Sequence, residues 1–146
     1  MLPRIPLIAV GAAGLLACSD STGPSKLSLD QLAGTWRLDS LVMLLESDPT
    51  VSENVLAQFG LSVSLTIDRN GTTMMTISMA GSAPDTVYNT IAIHGDTIAF
   101  GDYEATARLQ GRTMTWLSLE STLWDLDNDG TPEDVLERDV WQRHLP

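Results

Sequence analysis

The chain has 146 residues, enough for one domain, and carries 19 acidic against 8 basic side chains, a formal net charge of −11. A surface of that sign repels phosphate backbones, which argues against nucleic acid as a partner, and it leaves a covalent anchor as the route to a membrane. The 43% hydrophobic content allows a packed core and excludes a globally disordered chain.

Met1 to Arg4 supplies one positive charge, and Ile5 to Leu16 follows with none. That run falls short of the roughly 20 apolar residues that cross a bilayer and has the proportions of a secretory h-region. It ends in Leu15-Leu16-Ala17-Cys18, a small residue directly before a cysteine with a leucine three places ahead. The ending resembles the lipobox of bacterial lipoproteins, from which Pro3, Pro6 and Leu16 depart. The resemblance implies a signal peptide over residues 1–17, a diacylglycerol thioether on Cys18 and an acyl group on its freed amine. Cys18 is the only cysteine, so an exported chain has no internal disulfide to make with it. Several acyl chains hold a protein stably where one does not. The alternative is a plain cleaved signal with an incidental cysteine.

Residues 18–28 then read as the lipidated cysteine and its tether. Ser19 to Ser28 is polar, contains Gly23 and Pro24, and shows no apolar period. Fully stretched, such a segment reaches about 35 Å, enough to clear the lipid headgroups. The expected location is the bacterial cell envelope. Ser19, rather than an aspartate, after the cysteine favours the outer membrane over the inner under the enterobacterial sorting rule.

Residues 29–146 form the folded domain. Ser28-Leu29-Asp30-Gln31 has the pattern of a capping box opening one helical turn. Gly34-x-Trp36 follows at the start of a long apolar strand that runs to Leu45. A helical turn leading into Gly-x-Trp on the first strand resembles the lipocalin and lipocalin-like families. The resemblance implies that Trp36 plugs the closed end of an eight-stranded barrel, with an arginine late in the last strand packed over it. Arg143 is the best-placed arginine and Arg138 the second. Otherwise Trp36 is a core tryptophan of any small β-domain.

Asp48-Pro49 has the form of an N-cap followed by proline at the first helical position. Val51, Val55, Leu56 and Phe59 share one helical face, and Gly60 suits the stop, so a short amphipathic helix is predicted over residues 49–59. At a barrel mouth it would be a lid or a plug. From Leu61 the apolar period becomes two, and Leu61, Val63, Leu65 and Ile67 mark a half-buried strand. Asp68-Arg69-Asn70-Gly71 turns the chain into Thr72 to Met79, which holds Met74, Met75 and Met79. Those methionines suggest either an adaptable apolar wall or ordinary core. Thr86–Ile93, Thr97–Phe100, Tyr103–Leu109, Thr113–Leu123 and Asp134–Arg143 follow, separated by short glycine-bearing turns and then an acidic loop.

Eight strands with short connections require antiparallel neighbours. The predicted class is therefore all-β: an antiparallel up-and-down β-barrel, lipocalin-like, with one short helix after the first strand. Closure removes exposed strand edges. An open sandwich of the same strands is the runner-up.

Asp125-Leu126-Asp127-Asn128-Asp129-Gly130-Thr131-Pro132-Glu133 places carboxylates at alternate positions, then glycine, then another carboxylate. A hard cation wants six to eight oxygens, and this pattern resembles a Ca²⁺ loop. Asp125, Asp127 and Asp129 would ligate by side chain, Thr131 by its carbonyl, and Glu133 directly or through water. The match to an EF-hand stops at its first half, because the twelfth position is Leu136. The role would be structural, pinning the final hairpin. A solvated acidic hairpin is the alternative.

No nucleophile elbow, zinc helix motif or phosphate-cradling glycine loop is present in the sequence, and no catalytic cofactor is implied. His94 and His144 have no candidate nucleophile at supporting spacing, so an enzyme is not expected. The leading expectation is an envelope protein, lipid-anchored and lipocalin-like, that holds a small apolar molecule. The second is an interaction or structural module, its barrel filled by its own side chains and its hairpin held by calcium. Small eight-stranded barrels occur both hollow and filled.

Overall fold

The computed structural model describes residues 26–145; the leader, Cys18 and most of the tether lie outside the described residues. Ser28 opens α1 (Leu29–Leu32) with a complete capping box: its hydroxyl takes the Gln31 N–H while the Gln31 side chain takes the Ser28 N–H. The strands are β1 (Gly34–Leu45), β2 (Ser52–Asn54), β3 (Leu61–Ile67), β4 (Thr72–Met79), β5 (Asp85–His94), β6 (Thr97–Phe100), β7 (Tyr103–Gln110), β8 (Thr113–Ser118), β9 (Thr122–Trp124) and β10 (Glu133–Arg143). One further helical turn, α2 (Val55–Gln58), precedes β3.

Every pairing is antiparallel, and each of β3 to β7 is hydrogen-bonded to the next. β10 pairs with β8 on one side and with β1 on the other, from Trp36↔Arg143 to Leu45↔Val135. That last ladder closes the sheet into an eight-stranded up-and-down barrel, which rules out the open sandwich. The period-two residues do what alternation predicts: Val63, Leu65 and Ile67 are buried, as are Ala105 and Ala107, and Met114 and Trp116. Tight glycine turns carry the chain between them. At Gly71, φ is +86° and an added Cβ would lie 2.8 Å from the Ile91 carbonyl oxygen, so the turn after β3 has no room for a side chain.

Three expectations change. The helix over residues 49–59 shrinks to α2, and Ser52–Asn54 pairs instead with Val42–Leu44 of β1. Asp48 does not cap a helix; its carboxylate accepts the Thr50 N–H at 3.1 Å and the Thr50 hydroxyl at 2.6 Å, closing an Asx turn. The reason lies in burial: Val51 and Phe59 remain 45% and 44% exposed, so the apolar stripe never gained the packing a short helix needs. The strand expected over Thr113–Leu123 is interrupted after Ser118, whose hydroxyl accepts the Glu137 N–H at 2.8 Å, and resumes as β9 along the upper part of β10. The methionine wall is not a wall: Met74 and Met79 are 39% and 48% exposed, and only Met75 of the three packs against the core.

The closed end holds the main core. Trp36, Trp116 and Trp141 are fully buried there with Leu32, Leu65, Ile67 and Ile98, and the Trp116 and Trp141 rings lie 5.3 Å apart. A smaller core sits at the other end, where Val55 of α2 packs on Met43 and Val135, with Trp124 and Leu126 beside them. Phe59 meets Trp124 edge to face at 5.8 Å. Thus α2 is a packed wedge beside β1 and β3, not a free flap.

Candidate functional site

The base of the barrel is built from the residues singled out in the sequence. The Trp36 indole N–H donates to the Leu32 carbonyl at 2.7 Å, fixing the ring beneath α1. The Arg143 guanidinium lies 4.3 Å above that ring. One of its nitrogens donates to the Ala33 carbonyl at 2.8 Å and the other to the Gln31 carbonyl. These are C-terminal carbonyls of α1, which lack partners within the helix. Gly34 has φ of +134°, and a Cβ there would sit 3.2 Å from the Arg143 side chain, so both its backbone angle and its lack of a side chain serve this contact. Arg138 is exposed and pairs with Leu117 and Val42, away from Trp36. The base is an anchor for the fold, in which the Trp36 N–H and the Arg143 guanidinium find their partners internally.

The mouth is different. Along β10, Val135, Glu137, Asp139, Trp141 and Arg143 share one parity, and Trp36 and Trp141 show that this face points inward. Two carboxylates therefore enter the barrel. Leu41 and Met43 of β1 stand opposite them, and Trp116 opposes Asp139 from β8. Tyr103 starts the inward row of β7 that continues through Ala105 and Ala107. Its ring lies 6.4 Å from that of Trp116.

A cleft of about 560 Å³ opens above this group, lined by Asp102, Tyr103, Glu104, Ser118, Glu120 and Glu137, with the small residues of the two adjoining turns. No lysine, arginine or histidine lines it. Asp139, one inward position below Glu137, is only 5% exposed, and its Oδ1 has no hydrogen-bond partner; neither does the Tyr103 hydroxyl. Burial, reinforced by the charge of Glu137, pushes the Asp139 pKa up to about 8. Burial also raises Glu137. The Tyr103 phenol is raised by burial and then by Asp139 and Glu137, so it stays protonated at any ordinary pH. At neutral pH the mouth thus presents a phenol, a serine hydroxyl, a largely protonated Asp139 and the Glu137 carboxyl above it.

A second concavity, about 730 Å³, lies at the base, between Lys26, Leu27 and Gln31 on one side and Asp96, Ala107, Arg108 and Leu109 on the other. It does not reach the interior acids. His94 and His144 are exposed at the base end, away from the cleft.

In the acidic loop, the carboxylates of Asp125, Asp127, Asp129 and Glu133 lie within 4.8 Å of one another. Asp125 accepts from the N–H groups of Asp129 and Gly130 at 3.1 and 2.9 Å, Asp127 from Asp129 at 3.1 Å, and Asp129 from Thr131 at 2.7 Å. Glu133 accepts the Leu126 N–H at 2.8 Å, which ties the two ends of the loop. Asn128 and Gly130 take left-handed backbone angles of +59° and +89°, which let the chain wrap. Four convergent carboxylates are a donor set that fits a hard cation such as Ca²⁺. Thr131 enters the loop through its N–H.

Glu137 and Asp139 carry no local mark of an interior position, since charged residues on a strand normally face water. The signal was available: with Val135 and Trp141 inward, the residues between them at the same parity are inward too.

No family model and no curated protein matches this chain. Among solved structures, it is similar to a DUF3598-family protein of unknown function from Nostoc punctiforme PCC 73102, at 17% identity and a TM-score of 0.36 over 82% of this chain. The chain spans 50% of that protein's length.

Proposed function

We propose that this is a binding protein of the bacterial envelope, held by a lipid on Cys18, whose barrel takes a small amphiphilic molecule at its mouth. The polar head of that molecule lies among Tyr103, Ser118, Glu137 and Asp139, and its apolar part lies toward Trp116. The observation that carries this reading is an open cleft lined by Tyr103, whose buried hydroxyl has no hydrogen-bond partner, with the equally unpartnered Oδ1 of Asp139 one inward position below the lining residue Glu137. Each orphaned polar atom costs about 1–3 kcal/mol, and of the six such side-chain atoms among the described residues only the Tyr103 hydroxyl belongs to a residue that lines the cleft. A ligand that hydrogen-bonds there removes the cost. The site differs from the expected methionine-lined cavity, because tryptophans fill the closed half and polar groups line the open half.

Titration with octanol, followed by tryptophan emission, tests the site: Trp116 is in reach, and a saturable change is expected at submillimolar concentration. A flat titration up to the solubility limit would remove the proposal. For the anchor, cells grown with labelled palmitate should yield labelled protein, and a Cys18→Ser variant should yield none.

The four converging carboxylates support a second element, a calcium-stabilised hairpin. Extracellular-type sites bind at about 10⁻⁴ to 10⁻³ M, so ~10 mM Ca²⁺ should stabilise the fold by about 1–3 kcal/mol. The expected result is a melting temperature raised by roughly 4–10 °C, lost in Asp127→Asn; no rise would show the hairpin to be solvated acid only.

A further inference from the structure

We infer that the closed end of the barrel is a docking face for a bilayer with anionic headgroups. The inference stands on the charge layout of the folded domain, goes beyond the reading of the mouth, and needs no lipid on Cys18.

The net charge of −11 is unevenly spread. The base comprises α1 and the segment before it, the β3–β4, β5–β6 and β7–β8 turns, the adjoining ends of β1 and β7, and the last residues of the chain. It carries Lys26, Arg37, Arg69, Arg108, Arg112 and Arg143, six of the seven basic side chains among the described residues. Three carboxylates accompany them, Asp30, Asp68 and Asp96, of which Asp30 pairs with Arg69 at 3.8 Å. Arg143 is half-buried over Trp36, and the other five cations are exposed. The seventh, Arg138, lies further up the wall, opposite Val42. The remaining described acids run from Asp39, at the bulge in β1, to the rim of the mouth. One end is therefore positive by three charges, six cations less three carboxylates, on a chain that is acidic as a whole.

Distance decides which sign a surface at the base would feel. β10 runs eleven residues between the two ends. At about 3.3 Å per residue and the usual strand tilt, the ends stand roughly 25 Å apart along the axis. Charges are screened over about 8 Å at physiological salt. A surface that touches the base meets the cations and is shielded from most of the acids.

Among polyanions, a bilayer fits this face because it offers an apolar layer as well as phosphates. Leu145 is 55% exposed beside Arg143 and His144. Lys26 and Arg108 line the concavity of about 730 Å³ together with Leu27, Ala107 and Leu109, and Asp96 is the one carboxylate in its lining. Cations next to apolar side chains match a phospholipid, whose phosphate sits above an apolar stem. The chain direction agrees. Lys26 lies eight residues after Cys18, so an anchor there would lead into this face across at most about 25–30 Å. The cleft at the mouth would then open away from the membrane.

The test floats the full-length chain carrying Cys18→Ser, which takes no lipid, with two kinds of vesicle: phosphatidylcholine alone, and the same with about 30% phosphatidylglycerol. Each basic residue near an anionic surface is worth about fivefold in binding. At about 0.1 M salt the anionic vesicles should be bound at least about tenfold tighter, and at about 0.5 M the difference should fall below about twofold. Lys26→Glu combined with Arg108→Glu, both exposed, turns the base from three net positive charges to one negative. That variant should lose the preference and keep its melting temperature. Arg138→Glu makes the same kind of reversal outside the base and should keep the preference. Equal binding to the two vesicles, a preference that survives the double reversal, or an equal loss in Arg138→Glu would overturn the inference. A DNA duplex of about 20 base pairs is the third arm; tighter binding to it than to the anionic vesicles would also overturn the membrane as partner. None of these results moves with the octanol titration, so the base and the mouth fail separately.

Discussion

Trp36→Ala should cost about 3–5 kcal/mol, as for other fully buried large aromatics, against a total stability of about 5–15 kcal/mol for a domain of this kind. Trp36 is 0% exposed and is gripped from both sides, by the Leu32 carbonyl through its N–H and by the Arg143 guanidinium over its face. Removing the ring leaves a cavity at the closed end and strips the guanidinium of its platform. Urea unfolding gives the value directly. Arg143→Lys should also destabilise, by about 1–2 kcal/mol, because an ammonium cannot reach both the Ala33 and Gln31 carbonyls as the planar fork does. A loss below about 1 kcal/mol for Trp36→Ala would mean that the base does not organise the barrel.

Asp139→Asn should do the opposite and stabilise the protein in mildly alkaline solution. The Asp139 pKa in the folded state, about 8, lies well above the unfolded value; a free aspartate titrates at about 3.9. The native state therefore holds a proton that the unfolded chain has released. That contribution is fully present below about pH 4 and is lost progressively as pH rises toward about 8. The wild-type protein should accordingly weaken across this interval, with Glu137 adding to the slope in the same sense. An asparagine does not titrate, so the variant should lack the Asp139 share of that slope. At pH 8 it should be more stable by about 2 kcal/mol, with a melting temperature roughly 6–12 °C higher. Melting curves at pH 5 and pH 8 for both proteins check this. Equal pH dependence in the two would place the titration elsewhere.

The eight barrel strands were readable because their period is plain and their turns are marked. Leu61 to Ile67 alternates without exception, and Gly71, Gly95, Gly101 and Gly111 each stand in a turn between neighbouring strands. The residues that meet at the base were readable for another reason: a glycine two places before a tryptophan, with an arginine near the end of the last strand, is a local signature of a long-range contact. What failed was decided by tertiary packing. Asp48-Pro49 has the chemistry of either a helix start or a turn, and only the availability of a partner strand, Val42–Leu44, selects the turn. The pause after Ser118 depends on a hydroxyl reaching the Glu137 N–H across the sheet, which no local pattern encodes. Glu137 and Asp139 carry no local mark because charged residues on a strand normally face water; the inward parity of their neighbours overrides that habit here.

Amide shifts in a ¹H–¹⁵N spectrum recorded with and without octanol separate the competing sites on one protein. Changes confined to residues 101–104, 118–122 and 137–139 are the pattern expected of a barrel that binds at its mouth. Changes confined to residues 26–31 and 95–96, beside the base, or to 125–133 in the acidic loop, would contradict it.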